Sequence, residues 1–143
     1  MTEPIAMNQG LLRKALLGNA AFSILSAAII TFYKNSLTGW LGISKDFDLL
    51  FLAIGLAIFA AWLLMNAGRK QIKVVEARIA VVMDIVWVAL SIPVVIFAPL
   101  SSQGKWIVAV VAEIVLTFAL FQWIGIRRIT GDINRKTQAV RHM

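Results

Sequence analysis

The sequence predicts an all-α membrane protein, a bundle of four transmembrane helices with both termini in the cytoplasm. The first observation is composition: of 143 residues, 60% are hydrophobic and only 15% are charged. Soluble domains are about 45–50% apolar and about 25% charged. The second is that the apolar residues form four long runs. The third is the uneven distribution of the basic residues around those runs.

Each of the four runs supplies about the 20 mostly apolar residues that a spanning helix needs. Because backbone groups in lipid must bond internally, each run predicts a helix. The strands of a β-barrel would alternate in polarity over about ten residues, and these runs do not. The predicted helices cover residues 11–33, 47–65, 79–97 and 106–126, in a single transmembrane domain of residues 1–143 that includes a basic cytoplasmic tail of residues 127–143.

The basic residues predict the orientation. Of the 14, only Lys34, Lys45 and Lys105 lie on one side of the predicted spans, and the other 11 lie on the opposite side. The positive-inside rule therefore predicts a multi-pass membrane protein with both termini in the cytoplasm. The run that follows Arg13 and Lys14 is long for a signal peptide and lacks a clear cleavage motif, so we expect a retained helix.

Two connections and the tail carry further predictions. Residues 35–46 are compatible with a short helix at the outer interface or with an ordinary polar loop. The hairpin of residues 66–78 and the tail are basic, which suits anionic lipid headgroups. The tail has apolar residues at helical spacing and could lie along the lipid, or it could be a mobile solvated end. The candidate headgroup ligands are Arg69, Lys70, Lys73, Arg127, Arg128, Arg135 and Lys136.

Polar residues inside the predicted spans are the candidate site. At about 1.5 Å per residue, Asp84 and Asn19 lie at a similar depth near the inner edge, and Glu113 lies higher, in a predicted upper layer with Ser26 and Ser91. Asn19, Ser23 and Ser26 share a face of the first helix by their spacing, as do Asp84, Trp87 and Ser91 on the third. Gln122, nine residues after Glu113, is expected on the opposite face and is left out. The predicted interior site comprises Asp84, Glu113, Asn19, Trp87, Ser91 and Ser26.

Two interpretations of this interior remain open. In one, Asp84 and Glu113 bind a proton or a cationic ligand, since acids within a membrane are functional candidates. In the other, Asp84 only hydrogen-bonds Asn19, and Glu113 bonds a hydroxyl or points outward. Trp87 is either a packed aromatic or a cation–π platform. A carboxylate facing lipid would cost a few kcal/mol, about 3 on the insertion scale.

The second predicted helix lacks such polar residues. Its Ala53, Ala57 and Ala61 recur at four-residue spacing, which predicts a small-residue ridge for close helix packing.

Three stretches resemble a group of small, mostly uncharacterised bacterial integral-membrane proteins. These are "ALLGNAAFSILSAAI" (residues 15–29), "MDIVWVALS" (83–91) and "GKWIVAVVAEIVLTFALFQWIGIRR" (104–128). The resemblance implies four helices in a bacterial inner membrane and no established activity, so it assigns no catalytic residue.

The motifs of enzymes are missing from the sequence. There is no cysteine, His142 is the only histidine, and no Gly-rich phosphate loop precedes a helix. We therefore expect no catalytic activity, no cofactor, no metal and no nucleic-acid partner. Two functions remain: a non-catalytic accessory, scaffold or stress-response module, or a proton- or cation-sensitive binding or transport bundle. A homo-oligomer or a membrane-protein partner is expected for either.

Overall fold

The computed structural model describes residues 9–43 and 46–142, and this part of the chain is helical without a strand. The four helices are α1 (Gly10–Leu41), α2 (Asp46–Ala67), α3 (Val74–Phe97) and α4 (Ser102–Arg141). Each is long and apolar enough to cross a membrane. The predicted all-helical class and the four candidate spans are confirmed.

Helix α1 continues beyond its predicted span. It bends at Tyr33, whose φ of −115° and ψ of 20° are not helical, and then runs on to Leu41. For residues 35–46, the sequence is compatible with a short helix or with a polar loop. The structure forms a helix as far as Leu41, and residues 44 and 45 lie outside the described part of the chain. Gly42 ends the helix with φ of 74°, a left-handed conformation that favours glycine.

The C-terminal end of α1 is hydrogen-bonded to the start of α4. The backbone N–H of Ser101 donates to the Leu41 carbonyl at 3.0 Å, and the Ser101 hydroxyl donates to the Trp40 carbonyl. The same hydroxyl oxygen accepts from Gly104 N–H at 3.0 Å, which caps the first turn of α4.

Two prolines lie near the C-terminal end of α3. Pro93 lies inside the helix. Pro99 disfavours helical backbone at the residue before it, and Ala98 is accordingly extended with ψ of 145°. The helix therefore ends at Phe97, as expected from the position of Pro99.

Helix α4 is the longest element, and the predicted span 106–126 forms its middle. The helix has 40 residues, which corresponds to about 60 Å. The basic tail is therefore a continuation of this helix as far as Arg141.

Helix α1 holds the bundle together because it packs against both α2 and α4, and α3 packs against α4. Helices α2 and α3 touch each other only slightly. The core lies at the end of the bundle where α1 begins and α2 ends. It consists of Leu12, Leu16, Ala20, Ala60, Leu63, Ala67, Ile72, Ala77, Ala80, Val81, Ile126 and Ile129.

Most other large apolar side chains point away from the bundle. Phe32 and Phe97, for example, are each 81% exposed. Soluble proteins rarely expose continuous apolar surface on this scale. The outward surface is that of helices surrounded by lipid or by other membrane helices.

The predicted alanine ridge on α2 is only partly correct. Ala53 is buried, but Ala57 and Ala61 are exposed. The buried apolar positions of α2 are separated by three, four or seven residues and face α1 and the core. They are Leu49, Ala53, Ala60, Leu63 and Ala67. Ala57 and Ala61 instead line an open apolar groove of about 380 Å³ between α1 and α2.

The guanidinium group of Arg13 connects α1 to the end of α2. It donates to the carbonyl oxygens of Ala67, Arg69 (2.9 Å) and Lys70 (3.3 Å). The last carbonyls of a helix lack partners within the helix, so a cationic donor there satisfies them and complements the helix dipole. Arg13 thus has a structural task at the end of the bundle where α1 begins and α2 ends.

We expect Arg13→Leu to lower the free energy of unfolding by about 1–3 kcal/mol, because it removes a charged donor from carbonyls that have few other partners. The exposed neighbour Lys14 provides the matched control, and Lys14→Leu should change stability little. Unfolding by SDS titration, followed by circular dichroism, measures both. Equal losses for the two variants would contradict the assigned role of Arg13.

Candidate functional site

The buried faces of α1, α3 and α4 bring three polar side chains together. Asp84 lies on the face of α3 that also buries Ala80 and Val81. Asn19 lies on the buried face of α1, and Gln122 lies on that of α4. Each helix therefore contributes one polar side chain to this group, although the buried faces of α1 and α3 also carry Ser23 and Ser91.

These three side chains are joined by hydrogen bonds. The Oδ2 atom of Asp84 accepts from Asn19 Nδ2 at 2.7 Å and from Gln122 Nε2 at 3.2 Å. Asp84 is 3% exposed, Asn19 1% and Gln122 0%. We call Asn19, Asp84 and Gln122 the polar cluster. It links three helices that are distant in sequence through a single carboxyl oxygen.

In the described part of the chain, no cation forms an ion pair with the Asp84 carboxyl group. The ion pairs found in the described ranges are those of Glu76 with Arg69 and Lys73, and none involves Asp84. Asp84 therefore depends on neutral amide donors. Such donors lower the cost of burying a carboxylate but do not neutralise it.

Two polar atoms near the cluster lack a partner within the described part of the chain. They are the Gln122 side-chain oxygen and the Trp87 indole nitrogen, both buried. Trp87 lies about one turn beyond Asp84 on α3, and its side chain is half-buried. Buried polar groups are normally hydrogen-bonded. The Gln122 oxygen is an acceptor without a donor inside the polar cluster, and the Trp87 nitrogen is a donor without an acceptor about one turn further along α3.

The two serines of the predicted site, Ser91 and Ser26, are not part of the polar cluster. The Ser91 hydroxyl donates to the carbonyl of Trp87 in its own helix at 2.8 Å. Ser26 is half-buried, and no hydrogen bond links it to Ser91 or to Glu113 in the described segments. The predicted upper layer of Ser26, Ser91 and Glu113 is therefore not formed.

The expectation that Glu113 lies in the interior is wrong. Glu113 and Thr117 are exposed, and the Thr117 hydroxyl donates to the Glu113 backbone carbonyl at 2.9 Å instead of reaching the carboxyl group. The exclusion of Gln122 was equally wrong. At about 100° per residue, nine residues place Glu113 and Gln122 on opposite faces, and the structure buries the face that carries Gln122.

Two signals in the sequence could have found Gln122. Counted from Arg127, Gln122 lies about 8 Å above the inner edge, at the level of Asp84 and Asn19. It also belongs to a series with steps of three and four residues, the spacing of a helix face that packs on other helices. The buried members of this series are Val115, Ala119, Gln122, Ile126 and Ile129.

The candidate headgroup ligands differ in their surroundings. Arg69 is half-buried and pairs with Glu76 at 2.9 Å, and Lys73 lies 3.5 Å from the same carboxylate oxygen. Part of the hairpin charge is therefore already neutralised. The other five are exposed: Lys70, Arg127, Arg128, Arg135 and Lys136.

Within residues 9–43 and 46–142, no group of three or more His, Cys, Asp or Glu side chains could hold a metal ion. The fold and the polar cluster define a candidate multi-pass helical membrane protein with one buried carboxyl group shared by three helices. Comparison of the chain with protein families, with curated proteins and with solved structures finds no match.

Proposed function

We propose that this chain is a non-catalytic four-helix module of a bacterial inner membrane, acting as an accessory, scaffold or stress-response component with both termini in the cytoplasm. The observation that carries the proposal is the engagement of Asp84 by amides from two other helices. The polar groups of the interior then hold the bundle together. The exposed cations at the inner end are available to anionic lipids or to a partner.

The geometry supports a structural task for the polar cluster. In lipid, helices gain little from burying apolar surface against each other, so hydrogen bonds between them help to select the arrangement. The cluster links α3 to α1, and it fixes both relative to α4. The second acid, Glu113, lies on the opposite side of α4, so the two acids do not form a joint interior site.

A second candidate function is supported by the orphaned atoms. Asp84 lacks a cationic partner in the described part, and the Gln122 oxygen is buried without a donor. A proton or a cationic ligand would provide the missing positive charge, and it would make the cluster a binding site.

Asp84→Asn separates the two functions. The asparagine side chain is similar in size and keeps an oxygen that can accept from Asn19 and Gln122, but it carries no charge. For the module, we expect a modest loss of thermal stability and an unchanged response to a lipophilic cation. Thermal unfolding with and without tetraphenylphosphonium, followed by tryptophan fluorescence, measures both quantities.

The matched control for this experiment is Glu113→Gln, which removes a membrane carboxyl group outside the polar cluster. Stabilisation by tetraphenylphosphonium that disappears in Asp84→Asn but persists in Glu113→Gln would favour the binding function over the module.

The proposed orientation predicts which positions a reagent can reach from outside. The chain has no cysteine, so each introduced cysteine is unique. We expect Ser36→Cys to react with a membrane-impermeant maleimide on intact spheroplasts, and Thr137→Cys to react only after lysis, because both side chains are exposed but lie on opposite sides. The reverse pattern would overturn the orientation.

The length of α4 refines the role of the basic tail. At about 1.5 Å per residue, Arg135 lies about 12 Å beyond Arg127 along the helix axis, and Arg141 about 21 Å beyond it. Arg127 and Arg128 therefore suit the headgroup region. The more distal cations extend toward the cytoplasm, where they suit an acidic partner as well as a lipid surface.

A further inference from the structure

The outward face of α4 carries a carboxyl group at membrane depth. Glu113 lies eight residues after Lys105 and fourteen before Arg127, which corresponds to about 12 Å and 21 Å along the axis. The side chain is exposed, and it forms neither a hydrogen bond nor an ion pair in the described part of the chain. An acid in hydrocarbon is unfavourable unless another group binds it.

The neighbours of Glu113 would let another helix approach closely. Ala109 and Thr117 lie one turn on either side of it, and both are exposed. Ala109 and Thr117 are eight residues apart, so two small side chains flank Glu113, and the polar side chain between them can hydrogen-bond to an approaching membrane helix. We call this surface the Glu113 face; it comprises Trp106, Ala109, Glu113, Thr117, Leu120 and Ile124.

We propose that the Glu113 face is the interface of a homodimer, in which Glu113 meets the partner's Glu113 at the twofold axis. The inference rests on the membrane placement proposed above and not on the role of the polar cluster. Two copies inserted with the same orientation carry every residue at the same depth, and a twofold interface uses the same surface on both. A second copy therefore always presents a carboxyl group at the depth where Glu113 needs a partner.

The chemistry of the pair is self-complementary. A protonated carboxyl group has one donor and retains acceptor capacity, so two such groups bond reciprocally, and a single proton suffices to link an acid to a carboxylate. In the dimer, the carboxyl group of Glu113, which lies outside the polar cluster, therefore gains a hydrogen-bond partner in each chain.

Disulfide cross-linking of the purified chain in phospholipid vesicles tests the face. The cysteine-free sequence allows single cysteines at Ala109 or Thr117 on the Glu113 face, and at Ile58 and Ile92 as controls on exposed positions of α2 and α3. We expect oxidation to cross-link Ala109→Cys and Thr117→Cys but not the two controls. Equal cross-linking at all four positions would overturn the proposal.

Energy transfer between labelled chains in the same vesicles tests Glu113 itself. We expect Glu113→Leu to raise the dimer dissociation constant about tenfold, and Glu113→Gln to lose less because an amide also donates and accepts. An unchanged dimer dissociation constant in Glu113→Leu would overturn the proposal. A parent chain that stays monomeric would also overturn it and would indicate a different partner for Glu113. Vesicle flotation distinguishes a failure of the proposed function from a failure of the dimer proposal. If the chain does not insert into vesicles, the membrane module is refuted; if it inserts but stays monomeric, only the dimer is refuted.

Discussion

Replacing Asp84 by leucine is expected to lower the free energy of unfolding by about 2–4 kcal/mol. The substitution leaves the amide groups of Asn19 and Gln122 without their acceptor, and both side chains are buried. Removing one member of a buried polar cluster is costly because the remaining members lose their partner while staying out of water. SDS titration followed by circular dichroism measures the loss.

The matched comparison is the triple variant Asn19→Leu, Asp84→Leu and Gln122→Leu. It removes the unpaired amides together with the carboxyl group and keeps similar side-chain volumes. Buried polar groups replaced as a set by apolar ones often cost little stability. We therefore expect the triple variant to be more stable than Asp84→Leu alone. If the triple variant lost as much free energy of unfolding as the three single leucine variants together, the hydrogen-bonded linkage of the cluster would be refuted.

Gly125→Ala is expected to destabilise the bundle by about 1–3 kcal/mol, the usual cost of overpacking. A Cβ atom at Gly125 would lie 2.9 Å from Leu12 Cβ and 3.0 Å from the Leu12 Cα and N atoms. Because two of these neighbours are backbone atoms, α1 and α4 would have to move apart. Thermal unfolding monitored by tryptophan fluorescence measures the loss.

Gly131→Ala in the same helix is the matched control. Nothing lies within 4 Å of a Cβ atom at Gly131, so only helix propensity acts there. Alanine is favoured over glycine within a helix by about 1 kcal/mol, and this variant should be as stable as the parent or slightly more so. A similar loss in both variants would show that the close approach at Gly125 does not limit packing.

The polar cluster illustrates how far the sequence could lead. Depth counted from flanking cations correctly placed Asn19 and Asp84 at one level, because the rise of a helix per residue is constant. Their hydrogen bond follows from that level and from the cost of leaving either group unpaired in lipid. The same count applies to Gln122, but its nine-residue spacing from Glu113 and its position near the inner interface favour leaving it out of a site that contains Glu113.

The sequence by itself determined the four helices that can cross a membrane, since long apolar runs between clusters of charge leave the backbone no other way to satisfy its hydrogen bonds in lipid. Only the tertiary structure decided which face of α4 is interior. Gln122 and Glu113 are both polar and lie on opposite sides of the helix, and the residues around them within the span are mostly apolar on every side. The contact of Gly125 with the Leu12 backbone provides the physical reason. It brings α1 against the face that carries Gln122, and it leaves Glu113 on the outside.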